Sequence, residues 1–292
     1  MTDLTGLFVP LVTPFTVGGE VALTALERLA HRVLDDGAAG LVALGTTAEH
    51  ATLSTAERTL VLQTCARVSR DRGALLIAGA GGNDTARASA AVAALRVYPE
   101  VRAALTVVPY YSRPGEAGVL AHFRAVTAAA AVPLVIYNVP HRTGQPLSWS
   151  AIRQLAGLPG VAGIKHAPGA VDQDTVLMMA GRPAGFAVLG GDDVTVSPLL
   201  ALGADGAILA SAHVATAEFA RLIRLWRDGH AEDARRLGHR LAPLSAALFA
   251  APNPAVIKAV LHRRGEIPSP AVRLPLVPAS QAVAAAAERL AA

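Results

Sequence analysis

In VAGIKHAPGA, residues 161–170, a short apolar run ends on Lys165. Only Lys165 and Lys258 are lysine among the chain's 26 basic residues; the rest are arginine. A confined, apolar setting disfavours a charged ammonium and favours the free amine. A free amine attacks a carbonyl and forms a Schiff base. Arginine stays protonated and cannot do this. Lys165 is therefore the candidate nucleophile. Imine formation also needs protons carried to and from the carbonyl oxygen and the nitrogen, which a positioned phenol can do. Tyr137, in VIYNVP, is the nearest candidate. Thr46, Thr47 and Tyr111 could extend it into a hydroxyl relay, and Arg142, in YNVPHRTG, could fork onto a substrate carboxylate. Lys258 follows PNPAVI and precedes LHRRG; it is expected to solvate a helix face.

These residues share one kind of location. Apart from Lys258, each lies at or just past the end of a short run dense in Val, Ile, Leu and Ala, as strands buried on both faces are. Such runs occupy 6–13, 40–45, 74–81, 103–109, 133–140, 161–167, 185–191 and 206–211. Segments of helical length separate them. Eight strand–helix units predict a (β/α)8 TIM barrel, in which reacting groups sit at the C-terminal ends of the strands. A doubly wound sheet is the alternative, but GAGGND (79–84) has Asp84 where a dinucleotide fingerprint needs a third glycine. The expected division is a catalytic barrel over 1–225 and a C-terminal helical region over 226–292.

Composition narrows the function classes. The chain is 52% apolar and 16% charged with a net charge of +4. Its arginines are scattered, which leaves no electrostatic footprint for nucleic acid. No uncharged apolar run is long enough to span a bilayer. MTDLTGLFVP lacks a basic stretch followed by an apolar one, so a cytoplasmic protein is expected. One cysteine, Cys65, excludes an internal disulfide and reads as a buried thiol. No HExxH, paired CxxC or carboxylate cluster points to a metal. His50 and His166 read as packing or hydrogen-bonding residues.

GTTAEHATLS, TVVPYYSRPGEAGVLAHF, IYNVPHRTG, GIKHAPG, LGGDD, PNPAVIK and RLPLVP follow one another over nearly the whole chain. Together they resemble the dihydrodipicolinate synthase/N-acetylneuraminate lyase family. The resemblance implies a barrel with a C-terminal helical region and a class I enzyme that binds pyruvate covalently without metal or organic cofactor. It implies Lys165 as the Schiff-base lysine and Tyr137 as the proton-transfer phenol. Thr47 would link Tyr137 to a Tyr111 reaching in from the partner of a tight dimer. Thr46 and Thr47 would hold the pyruvate carboxylate, and Gly191 and Ile208 would line the same pocket. Arg142 would hold the second substrate, L-aspartate 4-semialdehyde, on the route to lysine and diaminopimelate. The chain would form a homo-oligomer, a dimer at least, with a tetramer as the family's usual state. Another pyruvate-dependent aldolase or lyase, taking a 2-keto-3-deoxy sugar acid, 4-hydroxy-2-oxoglutarate or N-acetylneuraminate, is the alternative reading; a non-catalytic 2-oxo acid binder is a third.

Three positions depart from the family pattern. Ala48 stands where a glycine is usual and would crowd the turn if its φ were positive. His166 stands where an acidic residue is common after the lysine. Positions resembling a lysine-feedback site, namely His50, Thr55, Arg58, Asn83, Arg87 and Tyr110, include Arg87 where an acid is usual. A like charge there works against binding a lysine amine, so weak or absent feedback is expected.

Overall fold

The computed structural model describes residues 4–291. Its strands are β1 (Gly6–Pro10), β2 (Gly40–Ala43), β3 (Leu75–Gly79), β4 (Val101–Val107), β5 (Leu134–Asn138), β6 (Val161–His166), β7 (Ala187–Gly190) and β8 (Gly206–Ile208). They close in sequence order into a barrel, β1 through β8, and the paired strands are parallel. Helices alternate with them: α1 (Leu23–Asp35), α2 (Thr55–Arg72), α3 (Thr85–Ala94), α4 (Gly115–Ala129), the single turn α5 (Pro140–Thr143), α6 (Trp149–Ala156), α7 (Gln173–Gly181) and α8 (Val196–Ala201). After β8 come α9 (Thr216–Arg227), α10 (Ala231–Leu248), α11 (Ala255–Arg263) and α12 (Gln281–Leu290). The fold is a TIM barrel with a C-terminal helical region.

All eight predicted strands are present, and most are shorter at the C-terminal end than the apolar runs that announced them. The run 206–211 ends as a strand at Ile208, and Ala210–His213 coils into a 3-10 turn. Apolar composition continues past the last ladder hydrogen bond because the loops there are themselves buried: Leu209, Ala210 and Ala212 have almost no exposed surface. β4 starts two residues earlier than its run, at Val101, because the exposed Arg102 masked it.

By internal contacts the described chain forms two compact units, one of residues 77–207 with the short 4–5 segment and one of residues 6–76 with 208–291. The first has its core on β4–β7, where Ala103, Leu134, Ile136, Ile164 and Val188 are buried, as are Phe123 and Ile152 of the helices. The second has Phe8, Leu41 and Val42 of its strands and Leu26, Leu29 and Phe219 of its helices buried. Burying a side chain of this size removes it from water at roughly 1.5–3 kcal/mol each. Caps set the helix starts near the strand ends. The Ser54 hydroxyl accepts from Glu57 N while the Glu57 carboxylate accepts from Ser54 N, and this capping box opens α2. Asp172 accepts from Thr175 N at the start of α7. Cys65 is buried, as expected, and burial pushes its thiol up to about 12. Among the described residues no helix is long and apolar enough to cross a membrane.

Candidate active site

Lys165 is the penultimate residue of β6, and Tyr137 pairs with it across the β5–β6 ladder. Parallel pairing at that register puts the two side chains on the same face of the sheet. Lys165 is 7% exposed and Tyr137 8%, and Lys165 Nζ lies 4.3 Å from the centre of the phenol ring. The amine thus sits over an aromatic face with little exposed surface. Gly191, just past β7, donates its N–H to His166 O at 2.8 Å. A Cβ at Gly191 would stand 2.9 Å from Lys165 Cγ and 3.0 Å from Lys165 Cε. Glycine is therefore required there for the lysine stem to run in this direction. Beside it, Asp192 accepts from Gly169 N, and burial pushes its carboxyl up.

The loop after β4 belongs to the same unit. Tyr111 and Arg113 both hold left-handed backbone, φ 68° and 49°, without being glycine. The loop is strapped to α5: Arg113 Nε donates to Gly144 O at 2.8 Å, and Tyr111 N donates to Thr143 O. Tyr111 is 90% exposed. Arg142, within α5, is exposed as well. Neither is in contact with Lys165 within this single chain.

Thr46 and Thr47 lie in the other unit, in a 3-10 turn, Thr46–Ala48, directly after β2. Thr47 is buried, and its Oγ1 accepts a hydrogen bond from Asn253 Nδ2 at 2.9 Å. The hydroxyl hydrogen is left to donate elsewhere. The positive φ in this segment falls on Leu44 and Glu49, not on Ala48. Ala48 has right-handed backbone, and its carbonyl accepts from Thr13 Oγ1 at 2.8 Å. The methyl that replaces the family's glycine therefore brings no backbone strain. Ile208, the last residue of β8, is fully buried in the same unit.

Lys258 corrects the sequence reading. It does not solvate a helix face: it is 0% exposed. Its Nζ donates to Glu49 Oε1 at 2.7 Å, and Arg273 N donates to Glu49 Oε2 at 2.8 Å. Lys258 Nζ and the Arg273 guanidinium both lie against the Phe15 ring, 4.0 Å and 4.5 Å from its centre. Burial pulls the Lys258 ammonium down to about 8 against the opposing pull of Glu49. The Arg273 guanidinium in turn pairs with Glu57, whose carboxyl its hydrogen bonds hold down at about 2. Glu49 ends the turn that carries Thr46 and Thr47, so this buried pair fixes that turn. The signal was in the sequence: AVIKAVL places one lysine inside six apolar residues, and all seven are buried in α11. A cavity of about 500 Å³ in this unit, lined by Thr16, Leu23, Arg28 and Ile267, includes none of these groups.

Two histidines are held neutral by what they bond. His213 Nε2 accepts from Val12 N at 3.1 Å while its Nδ1 donates to Ala210 O at 2.8 Å. His166 is bonded at both nitrogens, to Asn138 and Thr175. A proton added to either ring would meet a donor. Burial, above all, pulls both rings down to about 4. An unfolded histidine takes its proton near pH 6.5. Below that pH the unfolded chain binds more protons, so stability is full above it and falls as pH drops towards 4. With two such groups the slope approaches ~2.7 kcal/mol per pH unit. Urea unfolding midpoints at about pH 7.5 and about pH 5 check this; the lower pH is expected to give the lower midpoint, and equal midpoints contradict it.

A closed parallel barrel with a buried lysine packed on a tyrosine near the strand ends has the equipment of a class I, imine-forming enzyme. Comparison with known proteins agrees. The profile of the Dihydrodipicolinate synthetase family matches residues 3–291, and the chain belongs to that family. A 4-hydroxy-tetrahydrodipicolinate synthase from Moorella thermoacetica is 38% identical over 271 residues, 93% of this chain and 91% of the relative. Among solved structures, the chloride-inhibited dihydrodipicolinate synthase of Acinetobacter baumannii in complex with pyruvate superposes with a TM-score of 0.93 at 34% identity, covering 98% of this chain and 97% of that one. A structure described as the first monomeric dihydrodipicolinate synthase variant gives 0.92 at 32% identity over 98% and 95%.

Proposed function

We propose that the chain is a lyase that condenses pyruvate with L-aspartate 4-semialdehyde to 4-hydroxy-tetrahydrodipicolinate. Lys165 attacks C2 of pyruvate, and the ketone oxygen leaves as water after two protons reach it, with Tyr137 as the carrier. Loss of a methyl proton turns the imine into an enamine. The enamine carbon attacks the aldehyde, and the amino group of the second substrate displaces Lys165 in closing the ring. The observation that carries this reading is the buried Lys165 amine 4.3 Å from the Tyr137 ring. Strands running parallel in a closed barrel end at one rim. The resemblance to the family assigns Thr46 and Thr47 after β2, Gly191 after β7 and Ile208 in β8 to the pyruvate site, and Arg142 after β5 to the carboxylate of the aldehyde.

The reading includes a homo-oligomer, at least a dimer. An aromatic ring 90% exposed on strained, strapped backbone suits insertion into a second copy, where Tyr111 would meet Thr47. It also includes a cytoplasmic location and the division into a barrel over 1–225 and a helical region over 226–292.

With pyruvate fixed, a panel of aldehydes tests the substrate. Aspartate semialdehyde is expected to exceed sugar-acid aldehydes and glyoxylate by about 100-fold in kcat/KM. Comparable turnover of another aldehyde overturns the assignment. In the same assay, millimolar L-lysine is expected to leave the rate unchanged, because Arg87 presents a like charge to its amine; strong inhibition contradicts that.

A further inference from the structure

His166 follows Lys165 and pairs in register with Asn138, one residue beyond the Tyr137–Lys165 pair. Successive strand residues face opposite sides, so His166 and Asn138 lie on the outer face, towards α7, behind the reacting pair. A directed chain of hydrogen bonds runs there. Asp172 Oδ1 accepts from Thr175 N at 2.8 Å and from Thr175 Oγ1 at 2.7 Å. The single hydroxyl hydrogen of Thr175 is thereby committed, so at the 2.9 Å contact with His166 Nε2 the hydroxyl oxygen accepts and the ring donates. The neutral ring then has a bare Nδ1, which accepts from Asn138 Nδ2 at 3.4 Å. The backbone is tied at the same point: Ala167 N donates to Asn138 O and Gly191 N to His166 O.

We infer that His166 is a positioning residue for the imine chemistry: its ring clamps the ends of β5 and β6 to the first turn of α7 and so holds Lys165 over Tyr137. This rests on the function proposed above. His166 lies on the face of β6 opposite Lys165. A misplacement of about 1 Å in a reacting group costs up to about 100-fold in rate, and the rung beside the reacting pair is where a lost clamp would produce one. Glutamine at 166 offers one acceptor and one donor joined through a single carbon, as the ring nitrogens are. Leucine offers neither.

The test is the rate of borohydride-trapped pyruvate adduct in rapid-quench experiments, together with kcat and KM. His166→Leu is expected to slow adduct formation and kcat by about 10- to 100-fold, with KM for the aldehyde within about threefold. His166→Gln is expected to recover most of the rate. Thr175→Val, which removes the acceptor from the other end, is expected to slow the same step and covers the case in which His166→Leu does not fold. Folded His166→Leu or Thr175→Val protein that traps pyruvate at the wild-type rate overturns the inference, as does a glutamine variant as slow as leucine. Wild-type protein that traps no pyruvate overturns the imine reading itself, and the inference with it.

Discussion

Lys165→Arg is expected to lower kcat by about four orders of magnitude or more, the scale of losing a nucleophile, with little change in thermal stability. Arginine keeps the positive charge and can still lie on the Tyr137 ring, so the packing that Lys165 Nζ makes at 4.3 Å has a replacement. What it lacks is a neutral form able to attack a ketone. A merely electrostatic role for this position would leave the arginine variant with much of its activity. A coupled assay and a melting curve decide between the two: kcat within about tenfold of wild type contradicts the nucleophile assignment.

Lys258→Met is expected to have the opposite profile. The substitution leaves the buried Glu49 carboxylate with Arg273 N as its remaining partner among the bonds described. Breaking a buried pair on one side costs about 3–5 kcal/mol. For a chain of this size that lowers Tm by roughly 5–8 °C. The double variant Glu49→Gln/Lys258→Met is expected to be more stable than Lys258→Met alone, because a neutral amide is cheaper to bury than an unpaired carboxylate. Since Glu49 terminates the Thr46–Ala48 turn, KM for pyruvate is expected to rise about tenfold in the single variant, the scale of one lost hydrogen bond to a charged group. Covalent trapping at Lys165 persists. Unchanged Tm in Lys258→Met contradicts the buried-pair account. The two lysines are thus expected to separate by experiment, Lys165 through chemistry with little stability and Lys258 through stability with no covalent chemistry.

The contrast between these lysines also marks where sequence reading succeeds and fails. Lys165 and Tyr137 were legible as neighbours because each ends an apolar run and consecutive strands of a barrel pair. Lys258 was misread because its partner lies 209 residues away, and no local pattern states such a pairing. Its rarity and its apolar flanks were the available signals. His166 was read only as a packing or hydrogen-bonding residue, although period-two alternation from Lys165 already turns it to the opposite face. The concern over Ala48 failed for a local reason: the left-handed residues of that segment are Leu44 and Glu49, and a 3-10 turn accepts alanine freely. Strand ends such as those of β1 and β8 were overdrawn because the residues just beyond them are as buried as the strands.

The most direct measurement is mass analysis of peptides after borohydride reduction in the presence of pyruvate. The account predicts one reduced pyruvyl group on the peptide containing Lys165 and none on the peptide containing Lys258. An unmodified Lys165 peptide, or modification at Lys258 instead, would contradict it.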